Sequence, residues 1–234
     1  MSIEMPFSKE NLDAIFKELG KTFRKLNGTS MSAEIILVGG ASILANYGFR
    51  DITYDIDAVI IASSAMKEAI NRVGDKFGLP YRWLNMDFSK SKSYSQKLVE
   101  FSVYYKTFSN ILIVRSVAAE YLIAMKLMSG RQYKNDLSDV IGILCEHEKS
   151  GRPISREAID NAVIALYNYP LPKESLKFIS DAYLSGDVGR LYHEIKGNEQ
   201  QAKEILLDFE KDYPKTLTED NTALILEKAK QKRK

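Results

Sequence analysis

Residues 35–59 constrain the fold more than any other part of this sequence. An apolar run, residues 35–38, leads directly into Gly39 and Gly40, which predicts a strand that is buried on both faces and stops abruptly. Glycine permits positive φ angles and lets another molecule approach the backbone closely. A helix that begins at this turn would direct unpaired N–H groups and its positive dipole end at a phosphate, and Ser42 would add a hydroxyl donor.

Two carboxylates follow in the segment Thr53-Tyr54-Asp55-Ile56-Asp57-Ala58-Val59. On a strand, Asp55 and Asp57 would leave the same face, because side chains alternate with a period of two. Two anions held this close favour a cation between them, and hard oxygen ligands suit Mg²⁺, with Mn²⁺ as a substitute. The alternative is that both acids lie on the solvated face of an edge strand, although their apolar neighbours favour a buried strand.

Composition excludes several functional classes. The formal net charge is +2, from 33 basic and 31 acidic residues, so the whole-molecule charge gives little reason to infer nucleic-acid binding, which would have to come from a local patch. The single cysteine, Cys145, excludes an internal disulfide, and two histidines argue against a histidine-rich zinc site. Without an apolar run of about 20 residues or a signal-peptide pattern, we expect no membrane contact and a cytoplasmic location.

The rest of the chain indicates a small α/β (α+β) fold, in which a mixed sheet is flanked by helices and followed by a helical C-terminal extension. Helical spacing predicts a helix between Ser8 and Gly28, and a β-rich run from Lys97 to Tyr105 predicts a strand that contains Glu100. The glycine and proline near residue 151 predict a boundary between residues 1–150 and residues 151–234.

In the extension, a helix is predicted from Glu199 to Tyr213, with Asn198 and Gln201 as a capping pair. The basic end of the chain, from Lys228 to Lys234, would either contact RNA phosphates or form a solvated terminus.

The glycine turn and the acidic strand together resemble the DNA polymerase β-like nucleotidyltransferase superfamily, and most closely a bacterial group related to AbiEii-type toxins. The resemblance covers roughly residues 33–144. Its motifs are Gly39-Gly40-Ala41-Ser42, Arg50, Thr53, Asp55-Ile56-Asp57, Trp83-Leu84-Asn85, and the segment Tyr121 to Leu127 leading to Arg131, Asp136 and Asp139.

This resemblance implies further site residues. Similar proteins place a third carboxylate on a strand beside the acidic strand, which points to Glu100, with Asp87 as the competing choice. Their nucleotide cleft is also lined by a basic and acidic segment. That role would fall on Lys126 and Arg131, which would offset phosphate charge, and on Asp136 and Asp139, which would orient these bases or bind near the metal. A structural alternative is that the two acids stabilise a helix N-terminus.

The leading hypothesis is therefore a metal-dependent nucleotidyltransferase that uses an NTP. Asp55, Asp57 and Glu100 would hold Mg²⁺, and the acceptor would be an RNA, a protein or a small molecule. By resemblance, a toxin with a partner antitoxin is expected. A second hypothesis is an inactive protein of the same fold that binds nucleotide or RNA or acts as an interaction module. A phosphohydrolase is a third, which the scarcity of histidine weakens.

Overall fold

The computed structural model of this protein describes residues 6–29, 31–131 and 134–232. The chain forms two compact units. The first contains the chain up to Leu122 together with Asn161–Asn168, and the second contains Ile123–Asp160 and the chain from Tyr169 onwards. The sequence predicted two domains, residues 1–150 and residues 151–234, and this division stays a prediction.

The first unit contains a five-stranded mixed sheet with the strand order β5-β4-β2-β7-β6. β2 pairs with β4 in antiparallel and with β7 in parallel orientation, while β4–β5 is parallel and β6–β7 antiparallel. Its strands are β2 (Ala33–Leu37), β4 (Ile56–Ile61), β5 (Leu84–Asn85), β6 (Ser102–Phe108) and β7 (Leu112–Val117). A separate antiparallel pair joins β1 (Phe7–Ser8) and β3 (Ile52–Thr53). The predicted mixed sheet flanked by helices is confirmed.

The helices of this unit follow from local sequence signals. Helix α1 (Lys9–Asn27) begins at a capping box, in which the Ser8 hydroxyl accepts from the Asn11 N–H and the Asn11 side chain accepts from the Ser8 N–H. The apolar residues of α1 recur at helical spacing and are buried against the sheet, namely Leu12, Ile15, Phe16, Leu19 and Phe23. The other helices of this part of the chain are α2 (Gly39–Asn46), α3 (Ala65–Phe77) and the start of α4 (Ala119–Ser129).

The second unit is helical. It contains the end of α4 and α5 (Asp136–Lys149), the start of α6 (Arg156–Tyr167), α7 (Lys173–Leu184), α8 (Val188–Asp212) and α9 (Glu219–Lys232). The basic end, Lys228 to Lys234, was expected either to contact RNA phosphates or to form a solvated terminus, and its last residues, Arg233 and Lys234, lie outside the described residues. No helix in the described ranges has the length and apolar character that crossing a membrane requires.

Helix α8 corrects one prediction. It begins eleven residues before Glu199 because Asp187 caps it, accepting a hydrogen bond from the Arg190 N–H at 2.9 Å. Asn198 and Gln201 therefore lie inside a continuous helix and do not form a cap. Glu199 is buried in the middle of this helix.

Candidate functional site

The glycine turn lies where the central strand β2 ends. Val38 is extended and precedes α2, and Gly39 opens this helix with a φ of 55°, a conformation that favours glycine. No side chain caps the N-terminus of α2. Its first backbone N–H groups lack partners within the helix, as at any helix start, and they carry the positive end of the helix dipole. Gly39 and Gly40 are partly exposed, so the turn can receive an anion.

Arg50 and Thr53 pack against the turn from the side of β3. A Cβ atom at Gly40 would lie 2.8 Å from Thr53 Oγ1 and 2.9 Å from Arg50 Nη2, so a larger residue there would require these two side chains to shift. Thr53 Oγ1 also donates to the carbonyl of Asp55 at 3.3 Å. These contacts position the turn relative to the acidic segment.

Asp57 lies beside the turn. It belongs to β4, where its carbonyl accepts from the Val38 N–H at 3.0 Å. A Cβ atom at Gly39 would lie 3.9 Å from Asp57 Oδ2. The Asp57 carboxylate and the start of α2 therefore share one partly exposed corner of the first unit.

Asp55 is placed differently from the prediction. Strand β4 begins at Ile56, so Asp55 precedes the hydrogen-bonded strand and is exposed. Its Oδ1 lies 3.5 Å from Thr53 Oγ1, a contact that ties the carboxylate to the side chain that packs on Gly40.

Glu100 does not lie on a strand beside β4, which corrects the basis of its assignment. It follows a short 3-10 helix, Gln96–Val99, and is exposed ahead of β6. Two strands, β2 and β7, separate β6 from β4. The sequence showed a β-rich run there, but local composition does not specify which strands become neighbours.

The strand that does pair with β4 on its outer side is β5. Asn85 of β5 lies opposite Asp57 in the parallel register, and its Oδ1 accepts from the Asp87 N–H at 2.7 Å. Asp87 is exposed and forms an ion pair with Arg82 at 2.5 Å. In the described ranges, no three His, Cys, Asp or Glu side chains are grouped closely enough to hold a metal ion. Asn85, within the Trp83-Leu84-Asn85 motif, is the polar neighbour of Asp57 that sequence reasoning missed.

Ser42 is a structural residue rather than an exposed donor. It is fully buried, and its hydroxyl lies 2.6 Å from that of Ser116 in β7. Asn46 donates to the Ser116 hydroxyl at 2.6 Å and to the Ser42 carbonyl at 2.8 Å. This network joins α2 to the sheet, so the predicted phosphate contact by Ser42 has no support from its position.

The predicted basic and acidic residues of the second unit form a buried ion cluster. Lys126 Nζ lies 2.7 Å from Asp136 Oδ1 and 2.8 Å from Asp139 Oδ2. Arg131 Nε lies 2.9 Å from Asp136 Oδ2. Burial alone would raise the pKa of Asp136, but the charges of Lys126 and Arg131 outweigh it and lower this pKa to about 2. The structure thus brings all four residues together, and their contact with a nucleotide stays a prediction.

Glu199 is a further buried acid that sequence reasoning missed. Its Oε1 accepts from the backbone N–H groups of Leu137 and Ser138, at 3.0 and 3.1 Å, and so caps the start of α5 from 61 and 62 positions away in the chain. Within the part of the chain that the structure describes, its buried Oε2 has no hydrogen-bond partner. Burial raises the pKa of Glu199 to about 7, and the nearby Asp139 also raises it, although the bonds from Ser138 and Leu137 act in the opposite direction.

The family of the chain follows from comparison with known proteins. Residues 11–146 match the family described as a nucleotidyltransferase of unknown function (DUF6036). Because the match covers more than half of the 234 residues, the chain belongs to this family. No curated protein and no solved structure matches the chain significantly.

Proposed function

We propose that this protein is a metal-dependent nucleotidyltransferase whose triphosphate site is the corner formed by Gly39, Gly40 and Asp57. The observation that carries the proposal is the contact between turn and acid, in which a Cβ at Gly39 would lie 3.9 Å from Asp57 Oδ2. In a chain of a nucleotidyltransferase family, this contact supports a site in which the N–H groups of the turn bind phosphate beside a carboxylate. A cation between the carboxylate and the phosphate would remove the repulsion between these two anions.

The oxygen donors fit a magnesium ion. Mg²⁺ in phosphoryl-transfer sites is commonly held by one or two carboxylates together with substrate phosphates and water, and Asp57 and Asp55 supply such oxygens. When bound, the ion offsets charge on the phosphates and acidifies the attacking hydroxyl. Glu100 is left out of the proposal because its position ahead of β6 separates it from β4 by two strands.

Residues of the chain itself would position the triphosphate. The N–H groups at the start of α2 bind phosphate oxygens, and the packing of Thr53 and Arg50 on Gly40 keeps these groups fixed. With the triphosphate held in line, a bond forms between the acceptor hydroxyl oxygen and the α-phosphorus. The bond between the α-phosphorus and its bridging oxygen breaks, pyrophosphate leaves with the electron pair, and the hydroxyl proton passes to water.

The test is calorimetric titration with each NTP in the presence of Mg²⁺, followed by transfer assays with labelled NTP and total RNA or cell extract. We expect Asp57→Asn to abolish transfer, with a loss of at least about 100-fold, because an uncharged amide is a poor ligand for Mg²⁺. The matched control is Asp75→Asn on the exposed face of α3, which should retain full activity. Transfer that persists unchanged in Asp57→Asn would refute the proposal.

A second candidate is a nucleotide-binding protein without turnover. It is favoured by one observation, namely that no third acidic or histidine side chain joins Asp55 and Asp57 among the described residues. NTP binding that requires Mg²⁺ and Asp57, without transfer to any acceptor, would support this candidate.

The proposed toxin role rests on the sequence resemblance alone. It predicts that induced expression arrests growth, that Asp57→Asn relieves the arrest, and that a partner antitoxin suppresses it. Normal growth under full expression of the active enzyme would refute this role.

A further inference from the structure

A strongly basic surface lies on the exposed face of α1. Lys17, Lys21, Arg24 and Lys25 are all exposed, and with Ser109 they line a shallow depression of about 510 Å³. We refer to these five residues as the α1 basic surface. Lys17, Lys21 and Lys25 recur at intervals of four positions along one helix face, and Arg24 follows Lys21 by three positions. Four positive charges on one face stand out in a chain whose formal net charge is only +2.

Neighbouring acids offset the charge of this surface only in part. In the described ranges, none of the four forms an ion pair, because the two acids in the body of α1 are engaged elsewhere. Asp13 pairs with Lys106 at 2.7 Å, and Glu18 pairs with Lys76 at 2.7 Å. The hydrogen bond from Lys76 and the charges of Lys76, Lys21 and Lys25 lower the pKa of Glu18, so this carboxylate offsets part of the lysine charge. The α1 basic surface therefore presents a net positive field to solvent.

The surface is held in a fixed shape by the turn between β6 and β7. Ser109 donates to the Lys17 carbonyl at 3.2 Å, and Arg24 donates to the Ser109 carbonyl at 3.4 Å. The turn approaches α1 closely, since a Cβ at Gly20 would lie 3.0 Å from the Phe108 carbonyl oxygen. A rigid helix thus carries the charges, which reduces the entropy lost when a partner binds.

The α1 basic surface is separate from the triphosphate corner. The turn before β7 lies at the end of the sheet where β2 begins, because Ala33 pairs with Leu112. The glycine turn lies where β2 ends, and the five residues of β2 span about 13 Å at about 3.3 Å per residue. A molecule bound at the α1 basic surface is therefore either different from the nucleotide in the triphosphate corner or large enough to extend from one site to the other.

We infer that the α1 basic surface binds the phosphate backbone of a double-helical nucleic acid. Lys17 to Lys25 span about 12 Å along the helix, which corresponds to three or four phosphates at about 3.4 Å per phosphate along one strand. Among the described residues, no aromatic side chain lines the depression, so these residues offer no platform for stacking unpaired bases. The apolar face of α1 is buried in the core and cannot insert into a lipid surface.

The partner is recognised through its backbone, so binding should be independent of base sequence and sensitive to salt. The inference goes beyond the proposed function, since it requires neither an NTP nor catalysis. If both hold, the surface would bind a nucleic-acid acceptor outside the triphosphate corner.

The test measures binding by fluorescence anisotropy of a labelled 20-base-pair duplex, as DNA and as RNA, without NTP and without added metal. We expect Lys21→Gln/Lys25→Gln to weaken binding and to reduce the slope of log Kobs against log salt by about 1.8, which is two phosphate contacts at about 0.9 each. Glutamine preserves helix propensity, and circular dichroism should show unchanged helicity. The matched control is Lys173→Gln/Lys177→Gln, which removes two exposed lysines at the same spacing on α7 and should leave the slope unchanged.

Three results would overturn the inference: no duplex binding by the unaltered protein, an equal loss in both double variants, or tighter binding of polyglutamate than of the duplex. The last would indicate an acidic protein partner. In the same assay, Asp57→Asn should bind the duplex normally, so failure of the nucleic-acid inference and failure of the nucleotidyltransferase proposal are distinguishable.

Discussion

Replacement of Glu199 by glutamine should stabilise the protein at alkaline pH. The amide keeps an oxygen that can accept the N–H groups of Leu137 and Ser138, which Glu199 Oε1 accepts at 3.0 and 3.1 Å. It removes the charge that must otherwise be buried when the carboxylate ionises. The variant therefore separates the hydrogen-bonding role of Glu199 from its titration.

The size and sign of the effect follow from the pKa. Burial raises the folded-state pKa of Glu199 to about 7 from its ordinary value of 4.5. A raised folded-state pKa contributes stability that is fully present below pH 4.5 and is lost as pH rises through 7. The difference of about 2.5 pKa units corresponds to about 3 kcal/mol at about 1.4 kcal/mol per unit. Glu199→Gln avoids this loss.

The assay is urea unfolding followed by far-UV circular dichroism at pH 4.5 and pH 8. We expect the variant and the unaltered protein to have similar free energies of unfolding at pH 4.5, and the variant to be more stable by about 3 kcal/mol at pH 8. Glu194→Gln, an exposed substitution on the same helix, controls for net charge. A Glu199→Gln variant that is less stable at pH 8 would refute the reasoning, because the ionised carboxylate would then be the better cap.

Two further predictions concern packing and charge. Lys126→Met leaves Asp136 and Asp139 buried without their shared cation and should lower the free energy of unfolding by about 3–5 kcal/mol. Lys126→Met/Asp139→Leu should recover part of this loss, and a loss below about 1 kcal/mol in thermal unfolding would contradict the buried-pair account. Gly20→Ala should destabilise the protein by about 1–3 kcal/mol because its methyl group meets the Phe108 carbonyl. Gly197→Ala in α8 meets nothing within 4 Å and should stabilise by about 0.5–1 kcal/mol; equal effects of the two substitutions would contradict this argument.

Local signals were sufficient to predict helix α1 and the central strand. Helix α1 has its cap at Ser8 and its end at Gly28, and both are encoded within a few residues of the helix itself. Strand β2 was predicted from an unbroken apolar run, and it is buried because β4 and β7 cover its two edges while helices cover the sheet. The sequence also predicted that the glycine turn and the two acids Asp55 and Asp57 form one site. Asp57 does lie beside Gly39, whereas Asp55 precedes β4 and is exposed.

Long-range pairing accounts for what the sequence did not predict. Glu100 was assigned to a strand beside the acidic strand, but β7 enters the sheet between β2 and β6, and the neighbours of a strand depend on pairing between distant segments. The burial of Ser42 depends on Ser116, 74 positions away. Glu199 acts on α5 from a different helix, so no pattern around residue 199 indicates that its carboxylate is a cap.

The first unit is built from two separate segments of the chain, which has a consequence for its synthesis on the ribosome. Its residues Asn161–Asn168 lie beyond an excursion of the chain into the second unit, and they accept hydrogen bonds from Ser95 at Leu166 and from Lys97 at Ala165. A ribosome that adds about 5–20 residues per second needs about 2–8 s to translate the 39 positions from Leu122 to Asn161. During that interval the first unit lacks residues Asn161–Asn168. A protein truncated after residue 150 would lack this segment permanently.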